Sequence, residues 1–361
     1  MSKRRVSMRD FCLELPKRRQ SIGSVLACDT SDRLTEIQNI PDPVDVCAGG
    51  QHSLVLTQSG DVYSFGCNGE GALGRSTSSS EPGSESLPAL VDLPGKALCI
   101  TAGGSHSACL LANGSVYAWG SFRLTIDGIA LKPTQILAGT ECCSIASGRN
   151  HLVVLSTRGK VYTMGCAEHR QLRSIPERSV LRPNQINIRS ANPFNAIWAT
   201  NTCCFLRESQ TETIWAADLN NCQHFAPIKT TLKDVTQIAG GDQHTLMLQG
   251  NRLFSVVGLG ESGTEIVSQL APVRNLECSN IVSVACGDVW SYAITEDGLL
   301  YSWGTDSSKA GKDDKPTRVI SRNTANKKIL LVSATARHAL FLAQFNPYVF
   351  NSLKDNLLTF P

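Results

Sequence analysis

Residues 48–74 read AGGQHSLVLTQSGDVYSFGCNGEGALG, and the same pattern returns along the chain. Copies begin at Ala102 (AGGSHSACLLANGSVYAWG), Ala146 (ASGRNHLVVLSTRGKVYTMGC), Ala239 (AGGDQHTLMLQGNRLFSVVG) and Ala285 (ACGDVWSYAITEDGLLYSWG). SATARHALFLA from Ser333 opens another, and ATNTCCFLRESQTETIWAAD from Ala199 is a degraded one. Anchored two residues ahead of each copy, the starts fall at 46, 100, 144, 197, 237, 283 and 331, a period of 40 to 54 residues. His52, His106, His151, His244 and His338 keep the same phase, the last three being 93 and 94 residues apart, close to two periods each.

Each copy reads as strand, Gly-containing bend, strand, tight Gly turn, strand. The third strand alternates as Val62-Tyr63-Ser64-Phe65-Gly66, Val116-Tyr117-Ala118-Trp119-Gly120 and Leu300-Tyr301-Ser302-Trp303-Gly304, in the manner of β structure. Apolar groups on both faces require burial on both faces, which suits small sheets stacked around an axis. A period of this length with several strands per unit is that of a β-propeller. The opening strand occurs seven times, but the Val-Tyr-x-Trp-Gly strand only six times before the C-terminus. Ser24–Cys28, ahead of the first copy, supplies the seventh. The expected fold is therefore an all-β, seven-bladed propeller, closed by pairing of an N-terminal strand with the C-terminal blade so that no edge stays open. It would span residues 23–343, between a basic disordered tail (1–22) and a C-terminal extension (344–361).

Gly49, Gly50, Gly103, Gly104, Gly240 and Gly241 are expected to permit unusual backbone angles or close approach at the bend. A histidine recurring at one site in five copies reads as a structural hydrogen-bonding group, because a catalyst is needed only once.

Composition narrows the function classes. The chain has 361 residues, 42% hydrophobic and 18% charged, and a formal charge of +3, too even to mark the whole as a nucleic-acid binder. The excess is local: Lys3, Arg4, Arg5, Arg9, Lys17, Arg18 and Arg19 face only Asp10 and Glu14 in the first 20 residues, a net +5, which leaves −2 on the rest. Lys3-Arg4-Arg5 and Lys17-Arg18-Arg19, eleven residues apart, suit a nuclear import signal or attraction to DNA phosphates. No apolar run approaches the roughly 20 residues of a membrane span, so no membrane role is expected. Fourteen cysteines include no C-x-x-C pair, and reduced core thiols in an intracellular protein are expected. Asn113-Gly114-Ser115 reads as a turn. Gly258-Leu259-Gly260-Glu261-Ser262-Gly263 matches the dinucleotide fingerprint, but the repeat leaves no room for a βαβ unit. No metal-ligand, cofactor or nucleophile–base grouping has a defensible spacing.

The Gly-Gly-x-His-Ser and Val-Tyr-x-Trp-Gly units resemble the regulator of chromosome condensation repeat family from residue 23 to 343. VYSFGCNGEGALGR from Val62, WGSFR from Trp119 and ASGRNHLVVL from Ala146 are especially similar to it. The resemblance implies a nuclear, chromatin-associated guanine-nucleotide exchange factor for the small GTPase Ran, monomeric and without a cofactor, docking Ran on one propeller face and chromatin on the other. The Ran-facing positions it implies are Ser121, Phe122, Arg123, Leu124, Asp127, Asn150, Gln243 and His338. Three depart from the family pattern: Leu124 and Asn150 stand where the family has aspartate, and Gln243 where it has histidine. Exchange weakened at these positions is the leading expectation. A non-catalytic adaptor for Ran or chromatin, or a scaffold for another protein partner, is the alternative.

Overall fold

The computed structural model describes residues 23–28, 34–78, 81, 83–122, 129–165, 183–218, 226–228, 232–242, 244–257, 269–304, 315–321, 323–324, 326–335 and 338–345. They form seven four-stranded antiparallel sheets. Blades one to six occupy residues 43–90, 97–136, 142–185, 194–227, 235–272 and 281–318, and blade seven joins 327–345 to 23–37. The seven-bladed propeller and its closure match the expectation. The three strands per unit gain a short fourth, such as Ala89–Leu90, Asn184–Gln185 and Thr317–Arg318.

The pattern of burial explains the stacking. Every residue of His52–Thr57, His106–Leu111 and His151–Ser156 is buried, because each of these second strands has a neighbouring blade on both sides. One apolar cluster fills each of the seven junctions. Between blades one and two, Leu54, Leu56 and Val62 meet Ile100, Cys109 and Trp119. Between blades six and seven, Ile294 and Leu300 meet Leu26, Ile329 and Phe341. The core is thus a ring of interfaces, with the described cysteines in reduced form. In blades one and two, four residues (58–61 and 112–115) join the second strand to the third. Gly60 and Gly114 take φ values of +82° and +80° there, which side-chain-bearing residues adopt at a cost. Asn113 completes its turn by accepting the Ser115 amide at 3.0 Å on Oδ1, as expected for a turn.

Blade seven is the seam. Gly23–Cys28 pairs with Ala339–Phe345, from Gly23 opposite Gln344 to Cys28 opposite Ala339, and Leu34–Ile37 adds the outer strand. Lys327 Nζ, nearly buried, reaches Glu36 and the Ser24 hydroxyl, each at 2.9 Å. That hydrogen bond, opposed by partial burial, lowers the Glu36 pKa.

Strand direction sorts the two faces. In blade one, His52 opens the second strand opposite Gly66, which ends the third, so bend, histidine and the following loop share one face. Cys28 lies at this end of blade seven beside His338, whereas Gly23 and Phe345 lie at the other. Both ends of the described chain therefore leave from the face opposite the histidines.

Candidate functional site

On the histidine face every blade closes its bend in the same way. The amide three residues before the histidine position donates to that position's carbonyl: Gly49 to His52 (2.8 Å), Gly103 to His106 (2.8 Å), Gly148 to His151 (2.9 Å), Thr200 to Cys203 (2.8 Å), Gly241 to His244 (3.0 Å), Gly287 to Trp290 (2.8 Å) and Thr335 to His338 (3.0 Å). Glycine is needed for close approach. A Cβ on Gly49 would lie 2.2 Å from the His52 ring, and one on Gly103 2.5 Å from the Gly148 carbonyl. None of the six bend glycines has a positive φ, so close approach accounts for them and unusual angles do not. The next residues, one per blade, form an inner ring in which the Gly50 amide donates to Gly103 O at 3.0 Å and the Gly104 amide to Arg149 O at 2.6 Å.

Four of the five histidines tie their blade to the next. His52 Nε2 meets Ser107 Oγ at 2.8 Å, His106 meets Ser147 at 3.1 Å, His244 meets Ser291 at 2.8 Å and His338 meets Ser53 at 3.0 Å. Ser107 donates its hydroxyl proton to Ala72 O at 2.8 Å, so His52 Nε2 must carry the proton in their shared bond. Trp119 Nε1 donates to the same carbonyl at 2.9 Å, stapling the loop of blade one onto blade two. His151 breaks the series. Cys204 takes the place of the serine, and both ring nitrogens of His151 are buried without a hydrogen-bond partner. Burial favours the neutral form of all five rings, pushing His52 down to about 3, where repulsion between its protonated form and a protonated His338 would add to the effect, and His151 down to about 4. His106, His244 and His338 move in the same direction for the same first reason.

Four consecutive blades place polar side chains on the inner ring. Arg149 Nη2 lies 2.6 Å from Asp288 Oδ1 and 3.0 Å from Asp242 Oδ2, and Asn201 Nδ2 donates to Asp242 Oδ1 (2.9 Å) and Asp288 Oδ1 (2.7 Å). Burial opposes the guanidinium's charge, but the two carboxylates outweigh it and raise the Arg149 pKa. The side chains of Arg149, Asp242 and Asp288 stay 37%, 34% and 27% exposed, so the network belongs to the surface. Among the described residues no group of His, Cys, Asp and Glu is arranged to hold a metal ion. What this face offers is a shaped, polar, hydrogen-bonding surface.

The seven-fold bend, with histidine in five of its copies, and the two-ended closure are the decisive features, and the model of the RCC1-like domain matches residues 20–344. The chain belongs to the RCC1-like domain family. Members of that family named regulator of chromosome condensation include a Drosophila melanogaster protein, 50% identical over 390 residues that cover 92% of this chain and 71% of the relative. The Homo sapiens protein of that name is 30% identical over 84% of this chain and 83% of its own length. The crystal structure of Prp20p from Saccharomyces cerevisiae superposes with a TM-score of 0.79 at 20% identity, covering 98% of each chain.

Of the positions assigned by resemblance to the RCC1-like domain family, Ser121, Asn150 and His338 lie half-buried on the histidine face, contributed by blades two, three and seven. Phe122 lies there too but is 1% exposed, its ring stacked on His106 at 4.1 Å. Phe122 therefore supports the relay from within and presents no contact surface, a correction to its expected partner-facing role. Arg123, Leu124, Asp127 and Gln243 fall outside the described residues, as do Lys3, Arg4, Arg5, Lys17, Arg18 and Arg19 and the Gly258–Gly263 motif. Asp288, Asn201 and the paired roles of Arg149 and Asp242 escaped the sequence reading. The signal was present: aligned two residues before the histidine position, blades one and two have glycine where blades three, five and six have Arg, Asp and Asp.

Proposed function

We propose that the chain is a nuclear, chromatin-associated guanine-nucleotide exchange factor for a Ran-type GTPase, with the histidine face as the docking surface. The observation that carries this reading is the convergence of Ser121, Asn150 and His338 from three blades on one face, while the described chain's ends leave from the other. Family membership supports it, as does the likeness to Prp20p, which is described with binding properties to Gsp1p and histones. Exchange involves no covalent step. A surface that holds the nucleotide-free GTPase more tightly than the loaded form must, by linkage, hasten nucleotide release.

Neutral Asn150 and Gln243 retain hydrogen-bonding capacity but forgo the charge the family carries there. Charge-assisted hydrogen bonds are about twice as strong as neutral ones, so exchange is weakened but not abolished. The reading is tested by following release of a fluorescent GDP analogue from purified Ran with catalytic amounts of the full chain. Acceleration is expected, and Asn150→Asp should increase it. Asn150 also favours a second reading, a non-catalytic adaptor, for which the result is capture of Ran with no change in release. Neither capture nor release would leave a scaffold for another protein.

Chromatin attachment is assigned to the two basic clusters of the tail. Deleting residues 1–20 should remove salt-sensitive DNA binding. Unchanged binding after the deletion would refute that assignment.

A further inference from the structure

We infer that Arg149 is a positioning residue of the docking face: it straps blade three to blades five and six across blade four, and so fixes the bends at Asn150 and Asp242. The inference rests on the docking reading given above. Its physical basis is a weak sector of the inner ring. The backbone contacts lengthen from 2.6 Å (Gly104 amide to Arg149 carbonyl) to 3.3 Å (Arg149 amide to Asn201 carbonyl) and 3.4 Å (Asn201 amide to Gly240 carbonyl). The histidine relay fails at the same place, since His151 has no partner on blade four.

The strap spans that gap. Arg149 is held by its own amide and carbonyl, and its guanidinium reaches two carboxylates at 2.6 and 3.0 Å on blades six and five. Asn201 of blade four is bound into the same network through Nδ2. Asn150 follows Arg149 directly, so anchoring the guanidinium anchors its neighbour. Without Arg149, two carboxylates that share one amide donor would face each other unneutralised, and like charges at that range repel. Blades one and two have Gly50 and Gly104 on the inner ring and so no side chain to strap; there the Gly50 amide is shared between the carbonyls of Gly103 (3.0 Å) and Gly104 (3.2 Å), and the Gly104 amide holds Arg149 O at 2.6 Å.

Partly exposed ion pairs add little to global stability, so loss of the strap should appear in docking and local order. In the full chain, Arg149→Met is expected to raise the Ran concentration for half-maximal exchange about 5–10-fold while the maximal rate changes less than about two-fold, the signature of lost binding contact. Arg149→Lys should recover most of that loss, because an ammonium can still hold one carboxylate although not the forked geometry. An unchanged half-maximal concentration in Arg149→Met, or a lysine variant no better than methionine, overturns the inference. Hydrogen exchange tests it without any GTPase: Arg149→Met should speed exchange of amides in both the 148–151 and 241–245 bends and leave the 49–51 bend unaffected. Unchanged exchange in the two bends refutes the strap, whereas changed exchange with no response of Ran to any form refutes only the docking reading.

Discussion

His338 and Ser53 meet at 3.0 Å across the seam of the ring, although 285 residues separate them in the chain. The Ala48 amide reaches Ser333 Oγ and Thr335 Oγ1 reaches Gly49 O at the same junction, each at 2.9 Å. Closure is thus made twice, once by strand pairing in blade seven and once by this side-chain clasp onto blade one.

The clasp and its counterparts differ in burial, which ranks their contributions. Ser107 is fully buried and its hydroxyl serves both His52 and Ala72 O, so Ser107→Ala should cost about 1–3 kcal/mol. Ser53→Ala, which affects a half-buried histidine, should cost about 1 kcal/mol. Denaturant midpoints of the two variants give the order directly, and a larger loss for Ser53→Ala would contradict it.

The seam also predicts where truncation becomes intolerable. Removing residues 1–22 spares every strand of blade seven, and the melting temperature should stay within about 2 °C of the full chain. Removing residues 1–37 deletes two of its four strands, together with the Glu36 partner of Lys327. It exposes an unpaired edge, so loss of cooperative melting or aggregation is expected, read by circular dichroism and light scattering.

Acidification should destabilise the propeller. A histidine whose folded pKa lies below its unfolded value stabilises fully above about pH 6.5 and loses that contribution as pH falls towards the folded value, at about 1.4 kcal/mol per pH unit. All five relay histidines act in this sense, His151 down to about 4 and His52 to about 3. Asp45 acts oppositely, because burial raises its carboxyl to about 6, against a hydrogen bond from the Val46 amide. Five groups outweigh one, so unfolding near pH 5.5 should take up more than one proton. The measurement is unfolding free energy at pH 7, 6 and 5, and His151→Leu should flatten the slope by about one proton.

Cys204→Ser should stabilise the chain. It restores a hydroxyl at the seat that Ser107 and Ser291 occupy in other blades and offers His151 a partner, a hydrogen bond worth about 1 kcal/mol. Urea denaturation at pH 7 measures it. No gain would mean that the blade three to four junction is held too far apart for the bond.

The repeat made the fold legible because the bend and histidine recur in phase, and because Ser24–Cys28 matches the strand missing from the last copy. The outer strands escaped notice because pairs such as Ala89–Leu90 and Asn184–Gln185 are too short to alternate. Phe122 read as belonging to a partner-facing loop, since nothing in its neighbours on the chain shows the His106 ring beneath it. Arg149 and Asp288 stand 139 residues apart, and only the closed ring brings them together. Arg149 and Asp242 belong to different copies of the repeat, and only the fold makes them partners.

The composite blade has a mechanical consequence. Gly23 and Phe345 lie at the same end of neighbouring antiparallel strands. A force drawn between a tail held on a fixed surface and the C-terminal extension would pull across this pair from one end. The rungs would then break in succession, beginning with Gly23 and Gln344, like a zip being opened. The other six blades are each one continuous stretch of chain, so no such pull peels them first. The protein is a stiff ring with one soft clasp, placed where its two ends meet.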